Sequence, residues 1–352
     1  MNDSGIYYSV GALLYSPANN EKIVQDIACE RFGRHYSLAL CLEDTIRDDK
    51  VKEAEQILIT SFDRLYKLKQ KQDFYIPKIF IRVRQHDQIP ELYKALNSSK
   101  ELLLGFIVPK FSSVNCDDYI KSFCSVKGSH PLYIMPIIES GDITVPLCRL
   151  EKLCMLKEKL DEIEPSVLNI RVGGNDLLNY FGLRRRCDET IYDILPVSEI
   201  LSDILSVFSL DYVVSGVVWE YYNGTGWENG LKNELRHDIR TGFIGKTVIH
   251  PNQIDVVNRA LRVSNEDYND AMSILNWNNP VLVSGSTDSR RMNEYKTHYR
   301  WAKRIMFLAE NYGIEHPIYD ETDTTDHARN FLPHALDVEK TTSTQIPLHF
   351  YE

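Results

Sequence analysis

The sequence predicts an α/β protein, a (β/α)₈ TIM barrel with a C-terminal helical extension and tail. The 352-residue chain contains eight short runs rich in Val, Ile, Leu and Tyr, and several are apolar at nearly every position. Such runs are typical of strands buried on both faces of a parallel sheet. In chain order the runs are residues 12–15, 38–42, 79–83, 104–108, 132–138, 167–172, 212–218 and 247–249. Eight strands that alternate with helices indicate a closed barrel.

The segments between the runs have helical patterns. After the second run, apolar residues recur at spacings of three and four, at Val51, Ala54, Leu58, Phe62 and Leu65. This spacing places them on one helix face, and residues 142–163 and 197–208 show similar patterns. An open doubly wound sheet is the structural alternative, but it would place a glycine-rich phosphate turn after its first strand. The sequence there is SPANNEK, without glycine, so the barrel is favoured.

The pattern changes after residue 263. We therefore divide the chain into a barrel domain, residues 1–263, and a C-terminal extension, residues 264–352. Within the extension, the sequence predicts a short helix over 267–277 and a long helix over 286–312.

The predicted long helix has one apolar stripe, formed by Met292, Tyr295, Tyr299, Ala302, Met306 and Ala309. We expect this stripe to pack on the barrel or on a second subunit. Residues 317–352 contain few apolar side chains and are predicted to form a flexible tail or an arm on a neighbouring subunit.

The composition argues against several classes of function. Lys and Arg total 40 against 50 Asp and Glu, and the formal charge of −10 argues against a general nucleic-acid binder. The sequence has no apolar run long enough to span a membrane and no signal-peptide pattern, so no membrane association is expected. The seven cysteines include no C-x-x-C pair, which predicts a reduced, cytoplasmic protein without a zinc site or disulfide framework.

Ionisable residues follow seven of the eight predicted strands. In a (β/α)₈ barrel the C-terminal strand ends meet at one mouth, where the catalytic groups lie. In chain order these residues are Glu43, Asp44, Arg82, Arg84, Lys110, Glu139, Asp176, Glu220 and His250. A solvated loop charge would explain any single member, but the complete set predicts a polar site at the mouth.

Glu139 and Asp176 form the most specific pair in this set. Each follows an apolar strand, so each carboxylate is expected in a low-dielectric environment where an unpaired negative charge is costly. A bound cation removes that cost. Two carboxylates with water and substrate in the remaining positions are the usual ligands of Mg²⁺, whereas zinc would require a Cys/His cluster. The sequence therefore predicts a Mg²⁺ site.

The motifs at the strand ends resemble those of the citrate lyase β-subunit and malyl-CoA lyase superfamily of aldolase-like proteins. In this sequence they read ALLYSPANNEK, LALCLEDT, IFIRVR, GFIVPK, IMPIIES, GGNDL and GFIGKTVIHPNQI. The resemblance extends over residues 11–263 and is strongest to the divergent lyase-like branch found beside tellurium-resistance genes. It implies a TIM barrel that cleaves carbon–carbon bonds with Mg²⁺.

The resemblance also implies roles for individual residues. Glu139 and Asp176 match the metal ligands of the family. Arg82 matches its substrate-binding arginine, and Arg84, counted here with the substrate-binding residues, stands where the family often has asparagine. The groups that line the metal–substrate cavity of the family match Glu43, Asp44 and Lys110.

Together, the residues and the resemblance predict a reaction on a small 2-oxo acid such as pyruvate, oxaloacetate or glyoxylate, or on its condensation product. The expected mechanism uses Mg²⁺ as a Lewis acid that stabilises an enolate. Arg82 clamps a carboxylate of the substrate, and Asp44, Glu43 or a water transfers the proton. A Schiff base on Lys110 is the alternative mechanism, disfavoured because nearby carboxylates would keep the amine charged.

Two departures from the family pattern leave the use of coenzyme A open. Gly11 stands where the family commonly has arginine, and Ala18 where it has glycine, in a region that contributes to coenzyme A binding in thioester-using relatives. The alternative function is a catalytically idle barrel that binds a metal-chelated metabolite as a sensor, or acts as an assembly subunit. The resemblance further implies a homo-oligomer, either a trimer or a hexamer.

Overall fold

A computed structural model describes residues 4–128, 130–278 and 280–315. Seven parallel strands form one curved sheet in the order β6-β5-β4-β3-β2-β1-β7. Their bounds are β1 Ala12–Pro17, β2 Ser37–Cys41, β3 Lys78–Arg82, β4 Leu103–Val108, β5 Tyr133–Ile138, β6 Arg171–Val172 and β7 Lys246–Val248. Each of these strands lies within or overlaps one of the apolar runs, as expected for strands that are buried on both faces and therefore mostly apolar.

The seventh run closes the ring without forming a regular strand. Ile170 pairs with Val214 and Gly216 pairs with Lys246, both in parallel, so residues 212–218 lie between β6 and β7. Gly216 permits a close approach at this point, since a Cβ there would lie 2.7 Å from a carboxylate oxygen of Asp238. The predicted α/β TIM barrel is confirmed.

Helices connect the strands and cover the outside of the sheet. Those of the barrel are α1 Ile23–Ala28, α2 Val51–Lys69, α3 Gln88–Ala95, α4 Cys116–Val126, α5 Pro146–Asp161, α6 Gly174–Tyr180, α7 Leu195–Phe208, α8 Trp227–Thr241 and α9 Asn252–Ala260. The predicted apolar face of α2 is confirmed, because Ala54, Leu58, Phe62 and Leu65 are buried and Val51 is half-buried.

The strands separate two layers of apolar side chains. Alternate residues of each strand pack outward against the helices. The opposite set forms a separate cluster inside the ring, made of Val10, Leu13, Ala39, Phe80, Ile107, Met135, Ile137 and Leu168. This alternation is expected for a closed parallel barrel. The inner cluster fills the interior of the barrel.

The C-terminal extension begins with α10 Asn265–Leu275 and ends with α11 Tyr295–Tyr312, joined by an antiparallel hairpin of β8 Val283–Gly285 and β9 Met292–Glu294. The predicted helix over 286–312 is therefore wrong in its first third.

Side-chain hydrogen bonds explain why the hairpin forms there instead of a helix. The hydroxyl of Ser286 accepts from the backbone N–H groups of Arg290 and Arg291. Arg291 also donates from Nε to Asp270 at 2.6 Å. These local bonds compete with helix formation.

Helix α11 packs against α10 and against the segment that precedes β1. Ala302, Ile305 and Leu308 are its buried residues. Tyr312 donates its hydroxyl hydrogen to the carbonyl oxygen of Tyr8, and Asn311 Nδ2 donates to the carbonyl oxygen of Gly5 at 3.1 Å. The helix therefore lies beside the start of β1, at the end of the barrel opposite to the C-terminal strand ends.

The compact unit formed by these elements ends at Glu315. The predicted tail, residues 317–352, lies outside the described residues. None of the helices in the described ranges is both long enough and apolar enough to cross a membrane.

Candidate active site

A cavity of about 300 Å³ opens at the C-terminal ends of the strands. Its walls combine apolar side chains of β5, β6 and the seventh segment with polar groups from both sides of the barrel. The lining residues are Tyr15, Asp44, Thr45, Arg82, Ile137, Glu139, Arg171, Val172, Gly173, Gly174, Asn175, Asp176, Val218, Thr247 and Ile249. The cavity therefore has the mixed lining that is typical of sites for small polar ligands.

Arg82, at the end of β3, is buried and lies at the centre of the charged groups. Its Nη2 lies 2.5 Å from Glu43 Oε2 and 2.9 Å from Asp44 Oδ2. It also lies 3.8 Å from Glu139 Oε1. Burial alone would lower the pKa of Arg82, but the surrounding acidic groups outweigh it and raise the pKa. The guanidinium therefore stays charged in the wall of the cavity.

Glu43 and Asp44 follow β2 and have different surroundings. The side chain of Glu43 is 8% exposed, whereas that of Asp44 is 52% exposed and lines the cavity. Burial raises the pKa of Glu43, and the neighbouring Asp44 adds to this effect. Burial also opposes ionisation of Asp44, but its hydrogen bond to Glu43 and the charge of Arg82 hold the pKa of Asp44 below its usual range.

Arg84 holds the turn that carries this acidic pair. Its guanidinium donates to the carbonyl oxygens of Leu42, Glu43 and Ile46 at 3.2, 3.0 and 2.6 Å. It also pairs with Asp48. These four contacts occupy the donors that a substrate carboxylate would need. The structure therefore places Arg84 behind the turn, where it positions Glu43 and Asp44, rather than in the cavity wall with Arg82.

Lys110 follows β4 and bridges two of the carboxylates. Its Nζ donates to Glu43 Oε1 at 2.7 Å, and its backbone N–H donates to Glu139 Oε1 at 2.9 Å. Its φ of 50° lies in the left-handed region, which is costly for a residue other than glycine. The hydrogen bond to Glu43 raises the pKa of Lys110, so the amine is charged.

Glu139, which follows β5, is the most deeply buried carboxylate of the site, with 2% of its surface exposed. The pKa of Glu139 is raised to about 8, mainly by burial; the charge of Arg82 opposes this rise and that of Asp176 contributes to it. A Cβ at Gly173 would lie 1.8 Å from Glu139 Oε2. Glycine at this position is therefore what leaves room for the carboxylate at the cavity wall.

Asp176 lies in the first turn of α6 and lines the same cavity. Its negative charge acts on both Glu139 and Lys110. No group of three or more His, Cys, Asp or Glu side chains in the described ranges is arranged to hold a metal ion. Mg²⁺ usually takes one or two carboxylates and fills its other positions with water and substrate, and Glu139 and Asp176 are two carboxylates that line one cavity. Glu139 and Asp176 therefore fit Mg²⁺.

Two other strand-end residues lie outside this cavity lining. Glu220 has Arg184 as its nearer cationic neighbour, at 3.5 Å, and Arg185 at 3.9 Å. The ring of His250 stacks on that of Tyr222 with 4.6 Å between centroids.

Tyr15 and Arg171 line the cavity but were not identified from the sequence as site residues. Tyr15 lies in β1, and its ring centroid is 5.7 Å from the guanidinium carbon of Arg82. Arg171 interrupts the apolar run 167–172, which is the one signal that could have revealed it. A charged residue in a strand buried on both faces needs a polar partner or a ligand.

The barrel resembles several solved structures. It superposes with a TM-score of 0.64 on a citrate lyase from Burkholderia xenovorans LB400, at 14% identity, covering 88% of this chain and 94% of that one. The protein CitE from Mycobacterium tuberculosis, in complex with magnesium, acetoacetate and coenzyme A, gives a TM-score of 0.56 at 17% identity, covering 86% and 99%. RipC from Yersinia pestis gives a TM-score of 0.50 at 17% identity, covering 72% of this chain and 95% of that one.

At these identities the superpositions establish the fold alone. No curated relative matches the chain in sequence. A family model described as the C–C bond lyases of the TIM-barrel fold matches residues 5–314, which include every strand of the barrel and both helices of the extension. The chain therefore belongs to the family of C–C bond lyases of the TIM-barrel fold.

Proposed function

We propose that this chain is a Mg²⁺-dependent carbon–carbon lyase or aldolase that acts on a small 2-oxo acid or on its condensation product. Glu139 and Asp176 would hold the metal. When bound, Mg²⁺ would supply Lewis-acid polarisation of the substrate carbonyl. The structure of CitE in complex with magnesium supports this choice of metal, as does the all-oxygen ligand set.

The cavity supports a small, charged substrate. Its volume of about 300 Å³ is at the lower end of the range for ligand pockets. Arg82 presents a guanidinium, which binds planar carboxylates in a bidentate manner. The charge of Arg82 would bind a carboxylate of the 2-oxo acid and stabilise the negative charge that develops on the substrate when the carbon–carbon bond breaks.

Asp44 is the best-placed group for proton transfer. It lines the cavity, and the pKa below its usual range keeps it ionised at neutral pH, so it would accept a proton rather than donate one. Glu43 lies behind it and anchors Arg82 and Lys110. Because Lys110 is charged, it lacks the free amine that a Schiff base requires. The contacts therefore favour the metal-dependent mechanism over an imine on Lys110.

The observation that carries the proposal is that one cavity is lined by two carboxylates, those of the buried Glu139 and of Asp176, and by the guanidinium of Arg82. We would measure thermal unfolding with Mg²⁺ and a panel of 2-oxo acids. A ligand at 100 times its dissociation constant adds about 2.7 kcal/mol, which raises the melting temperature by several degrees. Asp176→Asn should abolish the rise.

Asp118→Asn is the matched control, because Asp118 also lies in the first turn of a barrel helix, α4, but is exposed. This variant should keep the full response. A response that survives in Asp176→Asn would disprove the metal site. Stabilisation by Mg²⁺ alone, with no effect of any acid, would instead favour an idle barrel that binds another ligand.

A further inference from the structure

Arg171 differs from the other buried arginines in its partners. Four arginines are buried among the described residues: Arg82, Arg149, Arg171 and Arg185. Arg82 pairs with Glu43 and Asp44, Arg149 with Asp203, and Arg185 with Glu234. Arg171 is 1% exposed and makes no ion pair with a carboxylate in the part of the chain that the structure describes.

The partners of Arg171 are two neutral hydroxyl groups. Its Nη1 donates to Ser215 Oγ at 3.0 Å and its Nη2 donates to Thr247 Oγ1 at 2.5 Å. These bonds orient the guanidinium but do not neutralise it. A buried charge without a counter-ion is costly, and an arginine side chain does not escape that cost by losing its proton.

The position of Arg171 indicates where its counter-ion belongs. Its side chain lines the same cavity as Arg82, Glu139 and Asp176. Arg82 comes from β3 and Arg171 from β6, three strands further along the ring, so the two guanidinium groups enter the cavity from different parts of the wall. Glu43 and Asp44 pair with Arg82, whereas no carboxylate in the described ranges pairs with Arg171, and its titratable neighbour in the cavity lining is Tyr15.

We infer that Arg171 binds a second anionic group of the substrate, so that the 2-oxo acid is a dianion with a carboxylate or phosphate-type group remote from its first carboxylate. The inference rests on the proposed function and names its substrate class. Arg171 would then determine specificity, because removal of the second anionic group from the acid leaves a buried cation without a counter-ion.

Three acids that differ only at one end test this inference. Pyruvate lacks a second anionic group, fresh oxaloacetate has a carboxylate there, and phosphonopyruvate has a phosphonate. We would measure their dissociation constants by calorimetry with saturating Mg²⁺, on wild type and on Arg171→Met. We expect one or both dianions to bind wild type about tenfold or more tightly than pyruvate, and the tighter of the two identifies the carboxylate or the phosphate-type group.

Arg171→Met should remove that preference and leave pyruvate binding within about twofold of wild type. Equal binding of pyruvate and both dianions to wild type would overturn the inference and leave the proposed function intact. A uniform loss for all three acids in Arg171→Met would show a purely structural role and also overturn it. If none of the acids binds wild type, the proposed function fails together with the inference.

Two further variants separate binding from folding. Arg149→Met removes another buried arginine, whose partners Asp203 and Ile143 lie outside the cavity lining, and should keep the preference for dianions. Arg171→Lys retains the charge without the planar fork. If Arg171→Met does not fold by circular dichroism, Arg171→Lys decides: weaker dianion binding with unchanged pyruvate binding supports the inference, and an equal change for all acids overturns it.

Discussion

The backbone N–H of Lys110 donates to Glu139 Oε1 at 2.9 Å, so a residue at the end of one strand holds the carboxylate that follows the next strand. Lys110 makes this bond from a left-handed backbone conformation, with a φ of 50°. On the opposite side, Glu139 Oε2 occupies the space beside Gly173. The backbone of Lys110 therefore holds one oxygen of Glu139, and the missing side chain of Gly173 leaves room for the other.

Gly173→Ala should disturb the metal site without altering its ligands. The φ of Gly173 is −90°, so alanine adds no backbone strain, and the effect comes from a Cβ 1.8 Å from Glu139 Oε2. We expect Mg²⁺ affinity, measured by calorimetry, to fall by about 10- to 100-fold. Gly128→Ala is the control, because nothing lies within 4 Å of its added Cβ. Unchanged Mg²⁺ affinity in Gly173→Ala would contradict the assignment of Glu139.

Glu43→Gln should destabilise the fold and weaken substrate binding together. Glu43 is the shared partner of Arg82 and Lys110, at 2.5 and 2.7 Å. Because Asp44 still pairs with Arg82, we expect a loss of about 2 kcal/mol in urea unfolding, below the full cost of breaking a buried pair. Asp63→Asn breaks the exposed pair with Lys67 and should change stability little. An equally small effect in both variants would argue against an anchoring role for Glu43.

Arg84→Met tests whether Arg84 positions the acidic turn. Loss of its bonds to the carbonyl oxygens of Leu42, Glu43 and Ile46 should cost about 1–3 kcal/mol of stability. Substrate binding should weaken but persist, since Arg82 remains. Arg47→Met is the control, because Arg47 lies on the segment after β2 that carries Glu43 and Asp44 but is exposed. Complete loss of binding in Arg84→Met, with stability intact, would instead indicate direct contact with the substrate.

Asp270 should contribute a pH-dependent part of the stability of the C-terminal extension. Burial opposes its ionisation, but hydrogen bonds from Arg291 and the Thr287 backbone hold the pKa of Asp270 below its usual value. A lowered folded-state pKa stabilises the fold above the unfolded-state value of about 3.9, and this stability is lost as the pH falls through the folded-state pKa.

Asp270→Asn should therefore lower the free energy of unfolding by about 2 kcal/mol at neutral pH, and the difference from wild type should shrink below about pH 4. Chemical denaturation at a series of pH values measures this difference. Asp267→Asn removes the more exposed carboxylate that contacts the same arginine and should have a smaller effect. A difference that stays constant down to acidic pH would refute the assignment.

The barrel could be predicted because its strands are buried on both faces and therefore read as apolar runs. The run 212–218 shows the limit of this signal, because it is apolar but forms no regular strand. The hydroxyl of Ser215 donates to the carbonyl oxygen of Ile244, and Gly216 allows Asp238 to approach the backbone closely. The region 286–312 shows another limit. Its apolar spacing fits a helix, but hydrogen bonds favour a hairpin in its first part. Arg290 donates its backbone N–H to Ser286, and Arg291 binds Asp270 of α10, a contact that the local sequence pattern does not reveal.

The proximity of several candidate residues could be predicted, because they end a strand or closely follow one. Glu43, Asp44, Arg82, Lys110 and Glu139 are linked by short contacts. Arg84 lies two residues after Arg82, but β3 ends at Arg82 and the alternation of strand faces ends with it. Arg171 lies one residue before the end of its strand, so a search for ionisable residues after the strand ends does not find it.

The packing of α11 against the segment before β1 has a consequence for biosynthesis. Tyr8 and Tyr312 are 304 positions apart in the sequence, yet the hydroxyl of Tyr312 donates to the carbonyl oxygen of Tyr8. β1 also needs β7 as its second neighbour. A nascent chain on the ribosome therefore carries its first strand without these neighbours until almost all of the described unit has been synthesised. Chains that stall earlier would expose an open strand edge, which makes them prone to aggregation.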